Sequence, residues 1–365
     1  MADLVVTTDR GLYCPPAVAF IDPWAPAPRA IVTHAHSDHA APGCGAYLTS
    51  ASGVGPLRAR VGVSASIEGL AWGETRRIGD VMVSLRPAGH LLGSAQVVLE
   101  APGSPRWVIS GDYKVDPDPT CEAFEAAACD VFLTESTFGL PVFRWPDQAE
   151  VVASINEWWR RNAAAGRTTI LLAYALGKAQ RVLAGLDPSI GPIGAHGAVL
   201  GMCEVYRAAG IALPETLHAN ADNARALRAG GVIVAPPAAA GSPWIRRFVG
   251  PEGVRAAMVS GWMRIRGRRR WQSLDRGFVL SDHADWDGLI GAVKATGASR
   301  IGVTHGYASQ FARWLGEQGY ETFVAPTRYR DEENAERDGA RQNGGEGDGA
   351  DDAGESEDDI AEERE

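Results

Sequence analysis

The segment Thr33-His34-Ala35-His36-Ser37-Asp38-His39 decides how the rest of this 365-residue chain is read. It follows the apolar run Ala30-Ile31-Val32, the pattern of a short buried strand running out into a loop. The whole chain has eight histidines, so three of them with an aspartate inside six residues form a dense cluster. In an extended segment residues two apart share a face, so His34 and His36 can reach one cation. Asp38 and His39 lie past the bend and can serve a second cation beside the first. Imidazole and carboxylate ligands without a thiolate suit zinc, or manganese as the alternative, and leave room for a water. The competing reading is a polar loop with satisfied histidines, and the density of the cluster speaks against it.

The same pattern recurs along the chain. Val18 to Ile21 ends in Asp22, Val81 to Leu85 leads through a turn to His90, and Trp107 to Ser110 runs into Asp112. Val131 to Thr134 ends in Glu135, Phe278 to Ser281 leads to Asp282 and His283, and Ile301 to Thr304 ends in His305. Polar residues at strand ends collect along one edge of a sheet, where a layered fold can build a site. Between about 145 and 250 the texture changes to helical rhythms alternating with single strands, including Gln148 to Asn162, Thr168 to Ala175, Ala198 to Ala208 and Val232 to Ala235. Alternation of that kind predicts a small α/β unit with a parallel sheet. It carries no dense ligand cluster, and His196 and His218 within it are read as ordinary surface or core residues.

The formal net charge of −10 is unevenly placed. Residues 331–365 hold 16 of the 45 acidic and 3 of the 35 basic residues, which leaves residues 1–330 at +3. The body therefore tolerates a polyanionic substrate, and the acidic tail has too few apolar residues to form a core and reads as disordered. Five cysteines without a C-x-x-C pair point to neither a disulfide framework nor a structural zinc site. With no basic-then-apolar leader at Met1-Ala2-Asp3-Leu4 and no apolar run near the ~20 residues of a membrane span, the expectation is a soluble, cytoplasmic protein without a membrane partner.

Taken together, H-x-H-x-D-H at His34 to His39, the later His90 and Asp112, then Glu135, His283 and His305 resemble the metallo-β-lactamase superfamily, in its β-CASP nuclease branch. Ala173-Tyr174-Ala175-Leu176-Gly177-Lys178-Ala179-Gln180 is similar to the cap segment of that branch, and Val259-Ser260-Gly261-Trp262-Met263 and Leu280-Ser281-Asp282-His283-Ala284-Asp285 are most similar to bacterial exonucleases associated with DNA ligase and a helicase. The resemblance implies an α/β fold: a metallo-β-lactamase αββα sandwich with an inserted β-CASP α/β cap. The sandwich would occupy 1–144 and 253–330, the cap 145–252 and the tail 331–365. It implies two divalent cations, one on His34, His36 and His90, the other on Asp38, His39 and His305, with Asp112 bridging. Asp38, Glu135 and His283 would be catalytic, with Glu135 keeping His283 protonated as general acid, and a structural ion pair as the rival role for those two. Asp22 would orient the loop. The implied activity is hydrolysis of nucleic-acid strands or ends, DNA favoured, in repair alongside a ligase and a helicase. The alternatives are an RNA nuclease of the same branch, toward which His305 leans, and a non-catalytic scaffold.

Lys178 and the run Arg264-Ile265-Arg266-Gly267-Arg268-Arg269-Arg270-Trp271 are the expected nucleic-acid contacts, since guanidinium groups meet phosphates and an indole can stack on a base. The bland alternative for the run is a solvated loop. Replacing Arg268, Arg269 and Arg270 together by Ala should weaken single-strand affinity and flatten its dependence on salt, by roughly 0.7 of the log–log slope per lost phosphate contact. Affinities measured across a salt series decide this, because a solvated loop leaves the slope unchanged.

Overall fold

The computed structural model describes residues 3–228, 230–265 and 274–328. Short apolar runs broken by Gly and Pro fold first into six strands: β1 (Val6–Thr8), β2 (Gly11–Cys14), β3 (Ala19–Ile21), β4 (Ala30–Ile31), β5 (Tyr47–Ser50) and β6 (Ile67–Leu70). They form one sheet in chain order, antiparallel up to β3 and parallel from β3 onward. Helix α1 (Val54–Val61) connects β5 to β6 on its outer side. A second sheet begins with β7 (Thr75–Ile78), β8 (Val81–Pro87), β9 (Ala95–Glu100), β10 (Trp107–Ile109) and β11 (Val131–Glu135). The two sheets face each other over a core that includes Ile21, Ile31 and Leu48 from the first and Val83, Leu85, Val97, Leu99, Val131 and Leu133 from the second. Because strand side chains alternate, Phe132 points the other way, into a separate cluster.

Helix α2 (Gln148–Ala164) opens the insertion, capped by Asp147, whose side chain accepts the Glu150 N–H at 3.1 Å. Then follow β12 (Thr168–Leu172), α3 (Lys178–Ala184), β13 (Ile193–Ala195), α4 (Gly197–Ala208), β14 (Leu217–His218), α5 (Ala224–Arg228), β15 (Val232–Ala235), β16 (Val254–Val259) and β17 (Arg276–Phe278). These six strands make a third, wholly parallel sheet in the order β14-β13-β15-β12-β16-β17. Val151, Ile155, Trp158 and Trp159 of α2 cover one face together with α3 and α4. Strands buried on both faces explain the unbroken apolar run Val232–Ala235. The expected return to the sandwich at 253 comes too early, because β16 and β17 pair within this sheet and not with the second. The strand expected to carry on to His283 stops at Phe278, and His283 sits in the loop beyond it.

The chain rejoins the second sheet through α6 (Trp286–Thr296), β18 (Arg300–Thr304), α7 (Ala308–Glu317) and β19 (Glu321–Val324). The finished order is β19-β18-β11-β10-β9-β8-β7, with Leu289, Val293, Phe311 and Leu315 of the two helices packed on Phe132, Ile301 and Val303. The architecture is mixed α/β, helices outside two facing sheets with a third sheet inserted. Parallel register sets Glu135 opposite Thr304 and Ile109 opposite Leu133, so Asp112, Glu135 and His305 leave the sheet along one edge. On the facing sheet Ile21 pairs with Ile31, which sends Asp22 and the histidine loop off the matching edge. Among the described residues no helix is long and apolar enough to cross a membrane, and the five cysteines are unpaired. The acidic tail and Arg266, Arg268, Arg269, Arg270 and Trp271 lie outside the described residues.

Gly302 is where β18 has no room for a side chain, since an added Cβ would meet Phe323 at 2.5 Å and Leu133 at 2.7 Å. Gly302→Val should destabilise the protein by about 1–3 kcal/mol through overpacking. A denaturant melt with a lowered midpoint and an unchanged slope is the expected result.

Candidate metal centre

The histidine loop meets the strand ends at the mouth between the two facing sheets. His34, His36 and His90 form a near-equilateral triangle, with ring centroids 4.8–4.9 Å apart and planes close to perpendicular. One ligand atom from each, together with one from Asp112, lies within 4.8 Å of the others. Asp38, His39 and His305 make a second group on the same criterion. Asp112 Oδ2 stands between the groups, 3.5 Å from His34 Nε2 and 3.4 Å from His39 Nε2. The structure thus gathers the seven residues into two adjoining groups, each close enough to hold a cation.

Hydrogen bonds on the far sides of the rings fix which nitrogen faces inward. Thr33 donates its hydroxyl to Asp22 at 2.6 Å and so accepts from His34 Nδ1 at 3.1 Å. His39 Nδ1 donates to Asp22 at 2.8 Å, His90 Nδ1 to the Asp282 carbonyl at 2.9 Å, and His36 Nε2 to the Leu176 carbonyl at 3.2 Å. His34 and His90, kept neutral by burial, therefore turn an unprotonated nitrogen inward. His36 Nδ1 and His90 Nε2 face one another at 3.2 Å. That separation is close to the edge of a tetrahedral site with ~2.0–2.1 Å bonds to nitrogen, about 3.3 Å. His34 Nε2, His39 Nε2 and Asp112 Oδ1 are buried without a hydrogen-bond partner, which is costly unless something else satisfies them. The donor set fits two divalent cations.

Electrostatics agree. Burial, reinforced by neighbouring histidines, holds His34 well below the usual imidazole range, and burial with His283 pushes His90 down to about 3. Burial acts against a charge on His39 too, but Asp112, Asp38 and Asp22 outweigh it and raise that ring well above its ordinary value. A cation bound among the same carboxylates would take the place of that proton.

Asp22 is bonded to the histidine loop through both carboxylate oxygens. Its Oδ1 accepts the Thr33 N–H at 2.8 Å while Oδ2 takes the Thr33 hydroxyl and His39. Its φ of 46° and the 55° of His305 are left-handed, where non-glycine backbone is strained, and such strain gathers at functional sites. Gly306 follows at φ 55°, and an added Cβ there would lie 2.4 Å from Ser136 O and Thr137 Cα. Glu135 and His283 are fully buried partners, with His283 Nδ1 3.0 Å from both carboxylate oxygens. Tyr113 N–H and Thr137 N–H also donate to Glu135, at 2.8 and 3.3 Å.

One expected contact is corrected. Lys178 is 1% exposed and lies 3.0 Å from Asp282, so it cannot reach a nucleic-acid backbone. Arg264 is exposed, donating to the Val142 carbonyl at 3.2 Å. His196 caps α4 and His218 is exposed, neither near the centre. The sequence reading missed Asp282, Arg181 and the Leu176 carbonyl as supports of the centre. The acidic residue next to His283 was a visible signal for the first, whereas the other two have none, because they depend on how the third sheet is placed.

No protein-family model matches the chain. It is 33% identical over 320 residues to a protein of Opitutus terrae named "Probable DNA ligase", which covers 87% of this chain but 31% of that one. It is also 31% identical over 126 residues to Endoribonuclease YSH1 of Gibberella zeae and 29% to Endoribonuclease ysh-1 of Neurospora crassa, each over 33% of this chain and 14% of the relative. The chain thus spans less than a third of the length of these relatives. Its fold is shared with a crystal structure of a protein of unknown function from Enterococcus faecalis V583, at a TM-score of 0.52 and 12% identity, covering 82% of this chain and 79% of that one.

Asp22→Asn keeps the size and the bond from Thr33 N–H but sets an amide donor against His39 Nδ1–H. Affinity for a cation on Asp38, His39 and His305 should fall roughly 10–100-fold. Zinc titration against a competing chelator measures it.

Proposed function

We propose that the chain is a two-cation phosphodiesterase of the metallo-β-lactamase superfamily, β-CASP branch, that hydrolyses nucleic-acid strands. The observation that carries this reading is the convergence of seven residues able to bind metal on two adjoining positions, with Asp112 between them. Two divalent cations held there supply the charge that activates water and stabilises an in-line displacement at phosphorus. Zinc is the first choice, with manganese as the alternative, on the donor types. The remaining step falls to the chain's own groups. Water adds to phosphorus, the bond to the leaving oxygen breaks, and that oxygen takes a proton from His283. Glu135, held by two backbone N–H groups, orients the His283 ring and stabilises its cationic form before transfer. Asp38 stands at the second position, placed to accept a proton from the attacking water. A non-catalytic scaffold has no need of a complete ligand set.

DNA is the favoured substrate, acted on from an end in repair alongside a ligase and a helicase. The support is similarity along most of this chain to a segment of a longer protein named as a probable DNA ligase, which suggests that the two activities work together. The second reading, an RNA nuclease, is supported by the relatives named endoribonucleases, over a third of the chain.

His36→Ala and Asp112→Ala should each lower bound metal and reduce hydrolysis by several orders of magnitude, while circular dichroism stays that of the parent. Matched end-labelled DNA and RNA strands, given to the metal-loaded protein, separate the two readings. Stepwise shortening of DNA alone supports the first, internal cuts in RNA the second. Wild-type turnover by either variant under limiting metal rules out the two-cation assignment.

A further inference from the structure

Lys178 and Asp282 are 1% and 0% exposed, and the charged groups of the pair are 3.0 Å apart. Buried pairs add little net stability, because desolvating two charges offsets their attraction. This pair does something more specific in its place. It ties together two segments that each present a backbone carbonyl to a histidine of the same cation set. Leu176, two residues before Lys178, accepts from His36 Nε2, and Asp282 itself accepts from His90 Nδ1 through its own carbonyl. One turn on along α3, Arg181 is 3% exposed, donates to the Gly89 and His90 carbonyls at 3.4 and 3.2 Å, and pairs with Asp118 at 3.4 Å. The third sheet's layer thus reaches the His90 turn from both sides.

The second set is oriented differently. His39 takes its direction from Asp22, which leaves the same sheet as the histidine loop, and among the described residues no group of the inserted layer bonds to it. Asp22 serves both sets, through Thr33 to His34 and directly to His39, and Asp112 joins them, but His36 and His90 of the first set take their direction from the inserted layer.

We propose that Lys178 and Asp282 are positioning residues for the His34, His36 and His90 set, fixing the ring orientation of two of its three histidines from the inserted layer. This deepens the two-cation reading above and rests on it. It also makes occupancy of one position, but not of the other, sensitive to how the insertion sits against the facing sheets.

The test removes both charges at once, Lys178→Met with Asp282→Asn, so that neither is left buried alone. Zinc affinity is measured by competition with a chromophoric chelator in two backgrounds. His305→Ala leaves the first set to report, and His36→Ala leaves the second. The first-set affinity should fall roughly 10–100-fold, as for other groups that orient metal-bound histidines, while the second set and the apo-protein melting temperature stay at their parent values. Lys178→Arg, which retains the cation, should recover most of the loss. An unchanged first-set affinity overturns the proposal, as does equal weakening of both sets, which marks a merely structural pair. Should the double variant fail to fold, Asp282→Asn alone is read by the same criteria. A parent protein that binds no zinc overturns the two-cation reading itself, and is told apart because it fails before any variant is made.

Discussion

Four imidazoles each commit one nitrogen to a fixed acceptor and turn the other toward Asp112, and the rest of the site follows from that constraint. The acceptors come from Thr33, Asp22, Leu176 and Asp282, so no single sheet could supply them. Lone pairs directed inward from His34 and His90, and the carboxylates beside them, make the centre unfavourable as a bare cavity and favourable around positive charge. His34 Nε2, His39 Nε2 and Asp112 Oδ1 are costly to bury unpartnered, and coordination is the partner that their geometry allows. The facing sheets pay for this with a dry core on one side and helices on the other, which keep the two edges in register.

The same constraint accounts for the local strain. Asp22 and His305 both sit in left-handed backbone at the ends of strands on opposite sheets. Each turns sharply where an extended strand would carry its side chain past the centre. Gly306 and its close approach to Ser136 and Thr137 show how little space the turn leaves. Glu135 and His283 add a second polar pair beside the first, also fully buried, brought together from the second sheet and the loop after the third.

Lys178 shows how a residue type can mislead. In sequence it is a cation near the start of a helix, a position that suits phosphate contact. In the fold it is buried against Asp282 and the Tyr174 ring, 4.3 Å from its centroid. Charge on a side chain reports what it can bind, whereas burial decides what it does bind.

Much of the strand pattern, and the seven residues that gather at the centre, were legible in sequence, because local order carries them. A run such as Val131-Phe132-Leu133-Thr134-Glu135 is both a strand and the delivery of a carboxylate to its end, and β11 has those bounds. The H-x-H-x-D-H spacing likewise sets which residues can share a cation before any fold is known. What the sequence could not decide was sheet membership and side-chain partners across layers. Nothing in the order of side chains says which sheet Val254–Val259 and Arg276–Phe278 join, and only pairing with β12 and with each other assigns them to the insertion. The acceptors for His36 and His90 are backbone carbonyls separated from them by 140 and 192 residues. Every residue but its geometry offers the same carbonyl, so nothing in the side-chain order marks which two will be used. That choice is made by packing, where the inserted layer comes to rest against the histidine turn.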